Sequence, residues 1–178
     1  MAHYQIQVIL APSEETPRGV KSVFLAGTTT KVDAIDWRVA LAASLSETNI
    51  TVYNPYRVDW DNTWREDVNF PPYRQQVEWE LDKQEKADMV VIYFHPATQA
   101  PISLLELGLC ARKPGKAIVL CPQGYWKTGT NSSLFNFSTD KDVLCSLGRA
   151  PSHLCSFTTA SYAYLVLHPH LTTLSLCP

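Results

Sequence analysis

Apolar residues along this chain fall into short runs separated by polar, turn-rich segments, and the period of the runs changes from one element to the next. Val20 to Gly27 (VKSVFLAG) is a β-branched and aromatic run closed by glycine, the pattern of a strand. Ile35, Val39, Ala42 and Ala43 then recur at helical spacing, which predicts a helix over 33–47. Ile50 to Tyr53 makes a second short strand. Residues 54–69 (NPYRVDWDNTWREDVN) are too dense in turn and polar residues for a regular element and form a long loop. A helical pattern resumes over Phe70 to Lys86, with Pro71 and Pro72 placed where a helix start tolerates proline. Asp88 to Phe94 (DMVVIYF) is a nearly continuous apolar run, as expected of a strand buried on both faces. PISLLELGLCA, from Pro101, supplies a further helix ending near Lys113-Pro114-Gly115, and Ala117 to Cys121 supplies another buried strand. Tyr4 to Leu10, with Ile6, Val8 and Leu10 on one face, adds an edge strand.

Strands that alternate with helices in this way predict an α/β fold: a three-layer, mainly parallel, flavodoxin- or Rossmann-like sheet flanked by helices. At 178 residues the chain suits one domain. Its regular alternation ends near Asn131. Residues 132–178 hold only Asp140, Lys141, Asp142 and Arg149 as charges and show poor periodicity, so this divergent C-terminal segment is left unassigned apart from a possible strand over Tyr162 to Leu167.

Composition narrows the function classes. A formal net charge of −2 provides no positive field for a nucleic acid polymer or an anionic membrane. The N-terminus lacks a basic region followed by an apolar stretch, and no run approaches the roughly 18 apolar residues of a membrane span. An intracellular, cytoplasmic protein is expected. Five cysteines without CxxC pairs read as free buried thiols, and no His or Cys cluster has metal-ligand spacing.

In a parallel open sheet, ligands bind beyond the carboxyl ends of the strands. The residues found there are Gly27-Thr28-Thr29-Thr30, then Asn54-Pro55-Tyr56-Arg57 with Asp59-Trp60-Asp61, then His95-Pro96-Ala97-Thr98, and Pro122 to Trp126. AGTTT matches neither GxGxxG nor a P-loop, so a mononucleotide or nucleoside fits better than a dinucleotide. Gly27 either lets backbone approach a ligand or simply turns the chain. Tyr56, Trp60, Trp64, Tyr125 and Trp126 are able to stack on a base or to plug loops. His95 reads as structural or as a site residue. Glu106 is the one charge in PISLLELGLCA and has no Lys or Arg at helical spacing, which favours a poised carboxylate over a solvated one. The helix N-terminus would keep it ionised while apolar surroundings would raise its pKa. Gly108 marks close helix packing or ligand access. Among the acids of residues 76–88, Glu80 is the best inward candidate, with Val77, Leu81 and Lys83-Gln84 around it.

VFLAGTT (23–29), NPYRVDWD (54–61), QVEWELDKQEKADMVVIYF (76–94) and PISLLELG (101–108), in this order, resemble the nucleoside 2-deoxyribosyltransferase-like family over residues 21–131. That resemblance implies N-glycosidic chemistry in nucleoside salvage. Glu106 would attack the anomeric carbon of 2-deoxyribose, and a second base or water would then take the sugar. Glu80 would orient the sugar or protonate the base, although many relatives have aspartate there. Gly27, Thr28, Asn54, Arg57, Asp59, Trp60 and His95 are the candidate substrate-binding positions. No metal or other cofactor is implied. The expected partners are a nucleoside and a free nucleobase, in a homo-oligomer whose neighbouring subunit often completes the site. A nucleoside or nucleotide N-glycoside hydrolase, and a catalytically silent nucleotide-binding module, are the alternatives. The acidic residue that relatives carry a few positions before the nucleophile is missing from HPATQAPI (95–102).

Overall fold

The computed structural model describes residues 5–28, 35–122, 124–127 and 144–146. Its strands are β1 (Gln7–Leu10), β2 (Lys21–Gly27), β3 (Ile50–Asn54), β4 (Met89–Tyr93), β5 (Ala117–Leu120) and β6 (Leu144–Ser146). Its helices are α1 (Trp37–Ser44), α2 (Pro71–Lys86) and α3 (Pro101–Cys110). The strands form one sheet in the order β1-β3-β2-β4-β5-β6, parallel throughout β1 to β5 and closed by an antiparallel β6. This is the predicted three-layer α/β architecture. Chain order reverses between β2 and β4, so the ligand crevice of such a sheet falls at their carboxyl ends.

The sheet separates two apolar layers. On one face Trp37 and Leu41 of α1, with Leu45 at its C-cap, pack with Val23, Leu25, Val52, Val91, Ile118 and Leu120. On the other, Trp79 of α2 and Leu107 and Cys110 of α3 meet Phe24, Ala26, Tyr53, Val90, Ile92, Phe94 and Val119. Each central strand alternates its side chains between the layers, which is why β2, β4 and β5 read as continuous apolar runs.

Several local expectations need correction. The buried stripe of α1 is Trp37, Leu41 and Leu45, one residue every four, whereas Ile35 and Val39 are 66% and 58% exposed. Aromatic packing of Trp37 on Tyr93 of β4, with centroids 5.4 Å apart, sets that rotation. In β1 the buried residues are Gln7 and Ile9, while Val8 and Leu10 face outward, because Gln7 is needed beneath the loop at Arg18: its Oε1 accepts from Arg18 N and from the Thr51 hydroxyl. α3 stops at Cys110, before Lys113. Gly108 packs against nothing, since a Cβ there would meet no atom within 4 Å. Cys110 is a buried free thiol. In the C-terminal segment β6 is described, and the possible strand over Tyr162 to Leu167 lies outside the described residues.

Two devices orient α2 and α3. α2 starts with Pro71 and Pro72, which lack the N–H groups a helix start would leave unpaired. α3 follows Ala100, buried and in the left-handed region at φ 49°, a costly conformation for a residue with a Cβ. The loop before it is anchored where Tyr125 Oη donates to the Gln99 carbonyl at 2.8 Å.

The rotation of α1 has a direct test. Leu41→Ala should cost about 2–5 kcal/mol in urea unfolding, and Val39→Ala should stay within about 0.5 kcal/mol. Equal costs would contradict the buried stripe described above.

Candidate active site

Glu106 sits on the second turn of α3, and the register of β2 against β4 determines what it meets. Gly27 pairs with Tyr93 at the carboxyl end of the two strands. Its φ is +118°, and a Cβ there would lie 2.3 Å from the Tyr93 carbonyl oxygen, so only glycine fits. The Gly27 N–H donates to the Glu106 carboxylate, as does the hydroxyl of Ser103 one turn back on α3. Ser103 is itself buried. Sequence reasoning treats Gly27 as a turn or a ligand approach; the structure adds a close approach of its backbone to Tyr93 of β4.

Glu80 belongs to the same site. The two carboxyl groups interact electrostatically, and both line a cavity of about 390 Å³ between α2, α3 and the β3–α2 loop. Small-molecule pockets start at about 300 Å³. Trp60 and Glu66 of the loop and Tyr73 at the start of α2 line one part, while Leu81, Ile102, Leu105 and Leu109 form an apolar rim. Gln76 holds Glu80: its Nε2 donates to Glu80 Oε1 at 2.7 Å and to the Pro55 carbonyl at 2.8 Å. Arg38, ion-paired with Asp36 at 3.0 Å, attracts both carboxylates from α1.

These surroundings set the proton affinities. Burial is the main cause that raises the Glu106 carboxyl, and the charge of Glu80 adds to it. Gly27, Arg38 and Ser103 pull the other way, and the result is pushed up to about 8. Glu80 is also raised by burial, against the hydrogen bond from Gln76 and the attraction of Arg38. Desolvation therefore outweighs every donor, including any help from the start of α3. Near neutral pH the pair retains a proton, the condition for one carboxyl to act as acid while the other acts as nucleophile.

The other predicted positions divide. Of the five aromatic candidates, Trp60 lines the cavity, 5.2 Å from Trp64 between ring centroids, and Tyr73, not singled out from sequence, lines it as well. Arg57 is buried and commits its donors to Asp59, the Pro72 carbonyl and Gln75, with its guanidinium 4.9 Å from the Trp64 ring, so at this place it fastens the loop to α2. Asp59 is its largely exposed partner. Asn54 is buried, and its Oδ1 caps the turn by accepting from Tyr56 N. Thr28 Oγ1 and Thr98 Oγ1 lie 2.9 Å apart, joining the two loops at the crevice. His95 Nδ1 accepts from Ala97 N, and its ring stands edge-on to Tyr93. Among the described residues no group of three or more acidic, His or Cys side chains is placed to hold a metal ion, and no helix is long and apolar enough to cross a membrane.

Gln76, Ser103 and Arg38 were not chosen as site residues from sequence. Ser103 and Gln76 carry a legible signal after the fact, since each precedes a candidate carboxylate by one helical turn. Arg38 carries none, because it reaches the site from the opposite layer of the sheet.

Residues 20–125 match a family described as nucleoside 2-deoxyribosyltransferase like. No match was found among curated proteins.

The stability of the protein should record the buried carboxyl. Folded, Glu106 keeps its proton to about pH 8, whereas its ordinary value is 4.5. Between these limits the folded state binds more protons than the unfolded state, so stability falls as pH rises, by up to about 1.4 kcal/mol per pH unit. Glu106→Gln removes this contribution. Urea unfolding should find the variant similar to the parent near pH 4.5 and increasingly more stable toward pH 8; a constant difference would contradict the burial of a titrating carboxyl.

Proposed function

The chain belongs to the nucleoside 2-deoxyribosyltransferase-like family, and on that premise we propose that it cleaves the N-glycosidic bond of 2-deoxynucleosides and transfers the sugar to a second base through Glu106. The observation that carries this reading is the pairing of Glu106 and Glu80 in one cavity, with Glu106 held by two hydrogen-bond donors.

In the first half-reaction the proton that the free pair keeps on Glu106 passes to Glu80 as substrate binds, the Glu106 carboxylate attacks C1′ of the sugar, the C1′–N bond breaks, and its electron pair leaves with the base. Glu80 gives that base a proton. A carboxylate positioned in a dry site favours the oxocarbenium-like transition state by charge and then traps it as an ester. In the second half-reaction a nitrogen of the incoming base attacks C1′, the ester bond breaks, and Glu80 takes back a proton. Water in place of the second base would make the protein a hydrolase. Trp60 and Tyr73 offer the base aromatic surface. Glu80 in the acid role compensates for the acidic residue absent from residues 95–102.

The site has a rim that suits a homo-oligomer. Ile102, Leu105 and Leu109 of α3 are 60%, 62% and 48% exposed, and Gly108 beside them is unpacked. A second copy laid on this face would bury the rim and shield the cavity from water.

Three experiments test this reading. Parent protein incubated with deoxyadenosine, deoxyinosine or thymidine and a second free base should form exchanged nucleoside, with one deoxyribosyl unit seen by intact mass. Glu106→Gln should lower exchange by roughly 10³-fold or more and abolish the adduct. Retained activity would remove Glu106 from the mechanism, and release of sugar alone would assign a hydrolase. The pH profile of kcat/KM should fall above about pH 8, as the proton retained by the pair is lost; a rise through pH 8 would mean that both carboxylates must be ionised. In sedimentation velocity the parent should run as an oligomer and Leu105→Asp as a smaller species.

A further inference from the structure

The hydrogen bonds of Gln76 do more than fill a buried position. Gln76 is 5% exposed, and its amide has a fixed orientation, because Nε2 meets two acceptors, Glu80 Oε1 and the Pro55 carbonyl, while Oε1 has no partner among the described residues. An amide turned the other way would set its oxygen against both acceptors. Pro55 opens the loop that carries Trp60 and Glu66 to the cavity, and the Gln76 carboxamide is the hydrogen-bonded link between the start of that loop and Glu80. Arg57 makes a second attachment of the same loop to α2 through the Pro72 carbonyl and Gln75, at places remote from the carboxylate.

Resting on the reaction proposed above, we infer that Gln76 is a positioning residue: it fixes Glu80 with Oε1 occupied and Oε2 left for the substrate, and it couples that geometry to the base-facing loop. A neutral N–H donor favours the ionised form of the carboxylate it contacts. It therefore opposes the effect of burial and leaves Glu80 able to gain and to release a proton during turnover. Bonding one oxygen also restricts rotation of the carboxyl group, which favours proton transfer along one direction.

Gln76→Met keeps the length and packing of the side chain and removes the donor, and Gln76→Glu keeps the shape while replacing the donor by a like charge. Carbon-13 NMR titration of glutamate-labelled parent and variants, with the Glu80 signal assigned from Glu80→Gln, reads the proposal without turnover. In both variants the Glu80 carboxyl should titrate at higher pH than in the parent. Under the same assay conditions kcat for base exchange should fall about tenfold or more, and the acidic limb of its pH profile should move upward. An unchanged Glu80 titration in a folded Gln76→Met variant would overturn the positioning role. A shifted titration in a protein whose parent form shows no glycosidic activity would retain it and reject the reaction instead.

Discussion

At the carboxyl end of β2, the backbone of Gly27 runs so close to Tyr93 of β4 that no side chain fits between them. This contact joins the two strands at the point where chain order reverses, and it leaves the Gly27 N–H facing α3, where Glu106 receives it. The sheet, the crevice and the Glu106 carboxylate are thus set by one close approach. Ala100, in its left-handed turn, and the Tyr125 hydroxyl on the Gln99 carbonyl then aim α3 at that crevice. Strain at Ala100 is tolerated because the loop around it is bonded on both sides.

The electrostatic arrangement follows from burial. Two half-buried carboxyl groups share one cavity, and the charged form of each is disfavoured by lost solvation, that of Glu106 also by its neighbour Glu80. Donors from β2, α1, α2 and α3 offset only part of that cost. Such a site is unfavourable for the fold and useful for chemistry, as acid–base and nucleophilic centres generally are. Arg38 contributes without being a ligand to either carboxylate in the described geometry; its own pairing with Asp36 keeps it at the edge of the site.

The alternation of apolar runs made the sheet, the helices and the loop over 54–69 legible in the sequence, because a parallel sheet buried on both faces leaves a strong imprint. Glu106 stood out for a related reason: a lone charge in an apolar helix has no opposite charge within that helix, and the structure places Arg38 of α1 and the Gly27 backbone of β2 near it. The rotation of α1 was not legible, since Ile35 and Val39 have the spacing of a core face and lost to Trp37, whose aromatic contact with Tyr93 is invisible along the chain. α2 was also misleading in detail. Its buried positions are Gln76, Trp79, Lys83 and Gln84, so most of its inner face is polar; Gln76, Trp79 and Lys83 bond to Pro55, Ser13 and Glu14, while Gln84 Nε2 has no partner among the described residues. Arg57 stands in a loop at the crevice, and its donors meet Asp59 of that loop and the Pro72 carbonyl and Gln75 of α2. Neither fact follows from periodicity, which carries no information about partners far apart in sequence.

Trp79 and Lys83 also bear on where the folding unit begins. Trp79 Nε1 donates to the Ser13 carbonyl at 2.7 Å, Lys83 Nζ reaches Glu14 at 2.6 Å, and the Thr51 hydroxyl accepts from Arg18 N and Gly19 N while donating to Gln7. All these partners precede residue 20, where the family match starts. A chain cut at that boundary would strip the hydrogen bonds from fully buried Thr51 and bare the edge of β3 that β1 covers, an invitation to strand addition and aggregation. The segment shared with relatives is thus shorter than the segment that must be synthesised for α2, and the carboxylate it carries, to stand in place.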